Sequence, residues 1–434
     1  MLRYFVTFPY WIAASAAADD ARTTANSLVG GHTKSAFFAK LLLGLLLAPA
    51  VTRAEVKSEP IFPLEDWHNH GSCIVECPNG DFLVCWFHGS GERKSDDVEI
   101  LGARLVKATG KWTKPFKMAD TPGFPDTNCC MIIDQDQKLW LLWPTIQANL
   151  WESALMKYKT STNYMDPDGP PKWDLMRVMH VKHDDGFPEL VEAKMDAYAQ
   201  TVAASEQEIS VWKAGIASQA HDKLTRRIGW FTRAHPLILD DGRMLVGLYS
   251  DGFSFSLVGY TDDGGKNWKF SEPIVGGGNI QPSFAQKKDG TLVAYMRDNG
   301  PAPKRVHVSE SKDRGETWSK VYDHPQLANP GSGLELMRLS DGDWVCIYND
   351  QPRGRHTLAV SLSDDEGKTW KWTKYLENRN MGDGSFHYPS IIEASDGKLH
   401  VSYSYFINKA TTNETKGKSI RYASFAKEWI KKPN

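Results

Sequence analysis

Three eight-residue segments of this chain follow one template. They read Thr261-Asp262-Asp263-Gly264-Gly265-Lys266-Asn267-Trp268, Ser311-Lys312-Asp313-Arg314-Gly315-Glu316-Thr317-Trp318 and Ser363-Asp364-Asp365-Glu366-Gly367-Lys368-Thr369-Trp370. Each sets a hydroxyl residue, an Asp, a Gly, a polar residue and a Trp at fixed offsets, and the copies recur about every 50 residues. A period of that length belongs to solenoids, propellers and arrays. The Asp accepts backbone N–H bonds to cap a turn, the Gly takes a strained φ, and the Trp packs between units. The template therefore constrains fold more than chemistry.

A second repeat lies between the copies. A turn of Asn79-Gly80, Asp136-Gln137, Asp241-Gly242, Asp289-Gly290, Asp341-Gly342 or Asp396-Gly397 separates two apolar, β-rich runs, as in Leu292-Val293-Ala294-Tyr295-Met296. Six hairpins, with a remnant of the template at Thr109-Gly110-Lys111-Trp112, predict an all-β six-bladed β-propeller of four-stranded sheets, closed so that few edges stay open. Over residues 183–229 the β signal vanishes. Leu190, Val191, Lys194, Tyr198 and Val202 recur at helical spacing, as do Ile209, Trp212 and Ile216. This predicts a helical insertion between blades 2 and 3, either a surface elaboration or a wall or lid for a pocket.

The near balance of 51 basic and 53 acidic residues argues against a nucleic-acid partner. The spacing of Cys73, Cys77, Cys85, Cys129, Cys130 and Cys346 resembles no zinc site and no disulfide framework. The adjacent Cys129 and Cys130 face opposite ways on a strand and read as buried thiols. No metal and no cofactor is implied. Near the start, Lys34 and Lys40 accompany the apolar run Leu41–Ala48, followed by the small-x-small pattern ending at Ala54. This predicts export, secreted or periplasmic, with residues 1–54 as extension and signal peptide and 55–434 as the propeller. The run is too short to span a bilayer, so no stable membrane insertion is expected after cleavage.

In such a blade the first strand lines the axis and turns at the Asp-Gly hairpin. Residues nine before each hairpin residue, namely Gly71, Asn128, Arg233, Gln281, Gly333 and Tyr388, therefore gather near the axis at the opposite face. Their neighbours include His68, His70 and His235, and the second strands and adjoining loops bring Tyr249, Arg297 and Arg355 to the same mouth. Guanidinium forks bind carboxylates bidentately, so Arg297 and Arg355 point to an acidic ligand. A phenol beside arginines has its ionised form favoured, which suits Tyr388 to act as nucleophile or base. The acidic loop Gly91–Asp97 is a source for a general acid, or simply a solvated charged loop.

On these segments the chain resembles the sialidase (neuraminidase) superfamily with BNR/Asp-box repeats, from about Trp67 to Trp429. The resemblance implies a six-bladed propeller with three arginines on the sialic acid carboxylate, a tyrosine nucleophile assisted by a glutamate, and an aspartate acid/base. It implies that Arg297 and Arg355 are the second and third arginines, Tyr388 the nucleophile, and Asp96 or Asp97 the acid/base. Two positions depart. The first blade reads Trp67-His68-Asn69-His70-Gly71-Ser72 where an arginine is expected, and Gln281 stands at the glutamate's place. His68 or His70 is then the replacement for the missing cation or base. Asn128, Arg233 and His235 complete the expected substrate-binding set.

Three functions follow as expectations. One is a secreted exo-glycosidase releasing sialic acid or another acidic terminal sugar from a glycan. Another is a polysaccharide lyase or rhamnosidase-type propeller on uronate-containing glycans, with the arginines neutralising charge that develops beside the carboxylate. The third is a non-catalytic carbohydrate-binding propeller, which Gln281 favours.

Overall fold

The computed structural model describes residues 56–412 and 414–433. The expected signal segment lies outside the described residues. The described elements all fall in the compact unit Arg53–Asn434. They form six small antiparallel sheets in a ring, a six-bladed β-propeller. The innermost strands, blade by blade, are His68–Glu76, Cys130–Ile133, Leu237–Ile238, Asn279–Gln286, Glu335–Arg338 and Gly384–Glu393. The sixth blade takes its outermost strand, Lys57–Pro60, from the beginning of the described chain, with Lys57 opposite Ser424. That pairing ties the two ends of the ring together and covers an edge that would otherwise be open.

The hairpins between first and second strands form because their second residue sustains a positive φ: 81° at Gly80, 86° at Gly242, 89° at Gly290, 94° at Gly342 and 75° at Gly397. Gln137 takes the same place at 59°. The preceding Asp or Asn holds most of the turns through its side chain, as where Thr291 N donates to Asp289 Oδ1 at 2.9 Å. The repeated template makes the other turn. Asp313 Oδ1 accepts from Thr317 N at 2.9 Å, Ser311 Oγ accepts from Gly315 N at 2.9 Å, and Gly315 has φ 88°. Strand register fixes which face these turns occupy. Ser311 lies opposite Leu292, just past the hairpin, whereas Arg297 lies at the other end opposite Ile280. The templates thus share the hairpin face, and the mouth is at the far face.

The core fills the wedges between blades. Trp318 packs on Phe284 at 5.7 Å within a cluster that also holds Leu245 and Tyr260 of the neighbouring blade. All six cysteines are buried and free.

The insertion between blades 2 and 3 consists of α1 (Phe187–Ala199) and α2 (Glu206–His221). Ser205 and Glu208 form a reciprocal capping box that starts α2. Lys194 pairs with Glu272 at 2.9 Å, and a Cβ on Gly277 would stand 2.5 Å from the Tyr198 phenol oxygen. Gly277 precedes Asn279, which sits at the mouth end of its strand. The insertion therefore packs against the segment 272–277 that leads from blade 3 into the innermost strand of blade 4. Among the described residues no helix is long and apolar enough to cross a membrane.

Candidate active site at the axial mouth

The innermost strands bend where they reach the mouth. Gly71, Asn128, Gln281 and Tyr388 have φ of 63°, 41°, 57° and 49°. Pairing slips between His70 and Cys73, between Ile280 and Ser283, and between His387 and Ser390. A left-handed residue in a bulge bends the strand and re-aims its side chain. Three of the four positions carry non-glycine residues in a conformation that disfavours them, and each of those three side chains takes part in one hydrogen-bonded group.

Tyr388 is at the centre of that group. Arg297 Nη1 donates to its phenol oxygen at 3.0 Å, and Gln281 Nε2 donates at 3.4 Å. Arg233 and Arg355 lie over its ring, with Cζ 5.0 and 5.6 Å from the centroid. His70 meets the ring edge-on at 4.5 Å. Gly333 has no side chain because one would not fit: its Cβ would fall 2.5 Å from Tyr388 Cδ1 and 2.9 Å from Gln281 Oε1. Burial pushes the Tyr388 phenol up, but Arg297, Arg355 and the Gln281 bond outweigh it and hold it below the ordinary tyrosine value.

A second phenol behaves oppositely. Tyr249 accepts from Asn128 Nδ2 and from Gln281 Nε2, both at 2.9 Å. Burial, with Asp251 and Tyr388 nearby, holds it well above the ordinary range. One mouth therefore contains a phenol biased toward ionisation and another kept protonated. Burial likewise pushes the Asp251 carboxyl up to about 6, against the pull of Arg297. Burial and neighbouring cationic groups hold His70 and His387 well below the usual imidazole range.

The remaining expected residues divide. Arg355 Nη2 donates to the Gly331 carbonyl at 2.8 Å, and Arg233 Nη2 donates to the Pro389 carbonyl at 2.9 Å beneath Tyr388. The His68 and His70 rings lie 5.1 Å apart, tilted by 54° to one another. His235 is not part of the mouth surface. Its Nδ1 donates to Glu335 Oε1 at 2.6 Å and its Nε2 to the Ile74 carbonyl at 2.8 Å. Glu335 also accepts from His235 N at 2.9 Å and Ile391 N at 2.8 Å, so its carboxylate is fully engaged. These bonds join blades 1, 3, 5 and 6 across the axis.

Asp96 and Asp97 are exposed and serve the loop: Asp96 accepts from Asn149 Nδ2 at 2.8 Å, and Asp97 from Ser90 Oγ at 2.9 Å. The loop residue that reaches the mouth is Glu92, 3.3 Å from His68 Nε2. Reading the loop by residue type favoured its aspartates, whereas its path around the Ser90–Asp97 contact turns Glu92 inward. Asp251 was missed as well. Its signal is position: it lies two residues beyond Tyr249, in the turn that follows the strand Met244–Ser250 at its mouth end.

Three arginines thus surround a tyrosine on the axis of an Asp-box propeller. The chain matches the BNR repeat-like domain over residues 187–401. It is 27% identical over 181 residues to an anhydrosialidase of Macrobdella decora, covering 37% of this chain and 23% of that one. It is 29% identical over 135 residues to a sialidase of Bacteroides fragilis (strain YCH46), covering 28% and 24%. The chain thus spans about a quarter of the length of these two relatives. An intramolecular trans-sialidase from Ruminococcus gnavus shares the fold with a TM-score of 0.62 at 12% identity, covering 85% of this chain and 96% of that one. The protein belongs to the sialidase-like BNR-repeat proteins as a divergent member.

Proposed function

We propose that this protein is an exported exo-glycosidase that releases sialic acid or another acidic terminal sugar, with Tyr388 as nucleophile. The observation that carries the reading is the Tyr388 phenol held by Arg297 at 3.0 Å with Arg233 and Arg355 over its ring. Cations stabilise the phenolate directly, so ionisation does not need the glutamate that Gln281 replaces. The phenolate oxygen bonds to the anomeric carbon as the glycosidic C–O bond breaks. Asp251, protonated below about pH 6, gives its proton to the leaving oxygen. Water then attacks the anomeric carbon, its proton returns to Asp251, and the phenolate leaves. Arg297 and Arg355 hold the sugar carboxylate and orient the ring for attack.

Gln281 also favours a second reading. Without a carboxylate partner, a Tyr388 phenolate is a free base, suited to removing the proton beside a uronate carboxylate in an elimination. The deciding experiment incubates the protein with sialyllactose, with 2,3-difluorosialic acid and with a polyuronate panel. Release of sialic acid and a covalent fluorosugar adduct on Tyr388 support the glycosidase. Unsaturated uronate without any adduct supports the lyase, and neither product overturns both.

A further inference from the structure

On the first blade, where the resemblance implied an arginine, three metal-ligating side chains meet. His68, His70 and Glu92 each offer one ligand atom, and those atoms lie within 4.8 Å of one another. His68 Nε2 is 3.3 Å and His70 Nε2 3.8 Å from Glu92 Oε1. Two ligands held at about 2.0–2.1 Å from a tetrahedral zinc ion stand roughly 3.3–3.4 Å apart. The His68–Glu92 separation matches that spacing, and the His70–Glu92 separation is slightly wider.

A simple ion pair accounts for the cluster poorly. Elsewhere in this protein His235 closes on Glu335 to 2.6 Å and His221 on Glu192 to 2.9 Å, and His88, 3.6 Å from Glu65, is bonded to Asn69 Oδ1 instead. At the rim His68 Nε2 is shielded from solvent and makes no hydrogen bond, although Glu92 Oε1 is beside it. An imidazole nitrogen aimed at a carboxylate, at ligand spacing but unbonded, suits a shared third partner. His68 and His70 are neighbours but one on a single strand, placed by the bulge at Gly71. Glu92 comes from the loop after the second strand and is partly open to solvent. The protein contributes three ligands, which leaves a coordination position free for a ligand from the mouth.

We propose that His68, His70 and Glu92 form a binding site for a divalent transition-metal ion of the zinc type. Its open position takes an anionic oxygen of the substrate, the task the missing arginine would otherwise perform. This second half rests on the acidic-sugar reading above; the ion site itself does not.

The test uses the full chain, stripped with a chelator and titrated with Zn²⁺ by calorimetry and with Co²⁺ by visible absorption. One equivalent is expected to bind, with a cobalt spectrum of tetrahedral or five-coordinate type. Glu92→Gln and His68→Gln should each weaken binding roughly tenfold or more, with unchanged thermal melting showing that both variants fold. Glu92 is at the surface of a loop, so its variant keeps the test valid should His68→Gln unfold. No saturable binding, or binding indifferent to both substitutions, overturns the site. Affinity for N-acetylneuraminic acid is then measured on Tyr388→Phe with and without Zn²⁺. Tighter binding with the ion supports the substrate role, and equal binding overturns that role alone. Zinc binding without turnover of any acidic glycoside sinks the glycosidase reading and leaves the ion site standing.

Discussion

In the proposed reaction Tyr388 and Asp251 divide the chemistry at the residue scale, and each makes a separable prediction. Tyr388→Phe removes only the phenol oxygen, so turnover should vanish while affinity for an acidic sugar changes by less than about 1 kcal/mol. Paired measurements of turnover and ligand affinity check this, and full activity in the variant would remove Tyr388 from the mechanism. The role proposed for Asp251 is that of an acid, so its protonated form is the active one. Activity should be present below about pH 6 and decline as pH rises through the raised value. Asp251→Asn should abolish that alkaline decline. It should cost about 10²–10⁴-fold on alkyl glycosides but little in kcat/KM on an aryl glycoside, whose first step needs no proton, while the adduct on Tyr388 accumulates for want of the base. Arg355→Lys tests the carboxylate clamp. Lysine cannot make the bidentate pair, so affinity for the acidic sugar should fall by roughly 1–3 kcal/mol, read by calorimetry against a neutral sugar as control.

The strand and its turn are the scale at which the sequence was most readable. A hairpin with an Asp-Gly turn and a box with Asp, Gly and Trp are local devices whose chemistry lies within a few residues, so six blades follow from spacing. Counting nine back from each hairpin also located the bulges, and with them Asn128, Gln281 and Tyr388. The roles at the mouth were less legible because they depend on where distant strands aim their side chains. His235 shows the difference. Its register placed it near the axis, but its partner Glu335 lies two blades away and draws it into a structural pair. That pair gives a stability prediction. Burial alone would lower His235, but Cys73 and Glu335 raise it well above the usual imidazole range, while Glu335 is held below the usual carboxylate range by His235 despite burial. The histidine's contribution is complete below its unfolded value of about 6.5 and is lost as pH rises through its folded value. The glutamate's is complete above about 4.3 and is lost as pH falls through its own folded value. Stability from the pair should therefore be greatest between about pH 4.3 and 6.5. Glu335→Gln leaves a buried imidazolium without its counter-charge and should destabilise by about 3–5 kcal/mol. Denaturant unfolding of both proteins across pH checks the magnitude and the window together.

For the whole molecule, ring closure is the step on which the mouth depends, because its cations and phenols arrive from different blades. The first and sixth blades are joined through Lys57–Pro60, which pairs with Gly417–Phe425 from Lys57↔Ser424 to Pro60↔Arg421. Beyond that strand Ile61 is buried and donates its N–H to the Ile420 carbonyl at 2.9 Å, and Phe62 stacks on Trp86 of the first blade at 5.1 Å. The segment from Lys57 to Phe62 therefore clamps both sides of the seam. A chain beginning at Trp67 would leave Gly417–Phe425 as an open edge with unpaired backbone groups, beside an uncovered Trp86. Compared with a chain beginning at Val56, it should melt several degrees lower and self-associate through the exposed strand. It should also lose ligand affinity, because His68 and His70 are on the first blade and Tyr388 on the sixth, and the removed segment is one of the ties across that junction, beside bonds such as Gly71 N to Ser404 Oγ and Ile74 N to Ser390 Oγ. Phe62→Ala separates the two contributions. It keeps the strand pairing and removes only the aromatic contact, so it should lower the melting temperature without promoting self-association. Thermal melting, size-exclusion chromatography and sugar-binding calorimetry on the three chains decide the matter. Equal melting and equal affinity for the chains starting at Val56 and Trp67 would mean that the ring stays closed by blade packing alone.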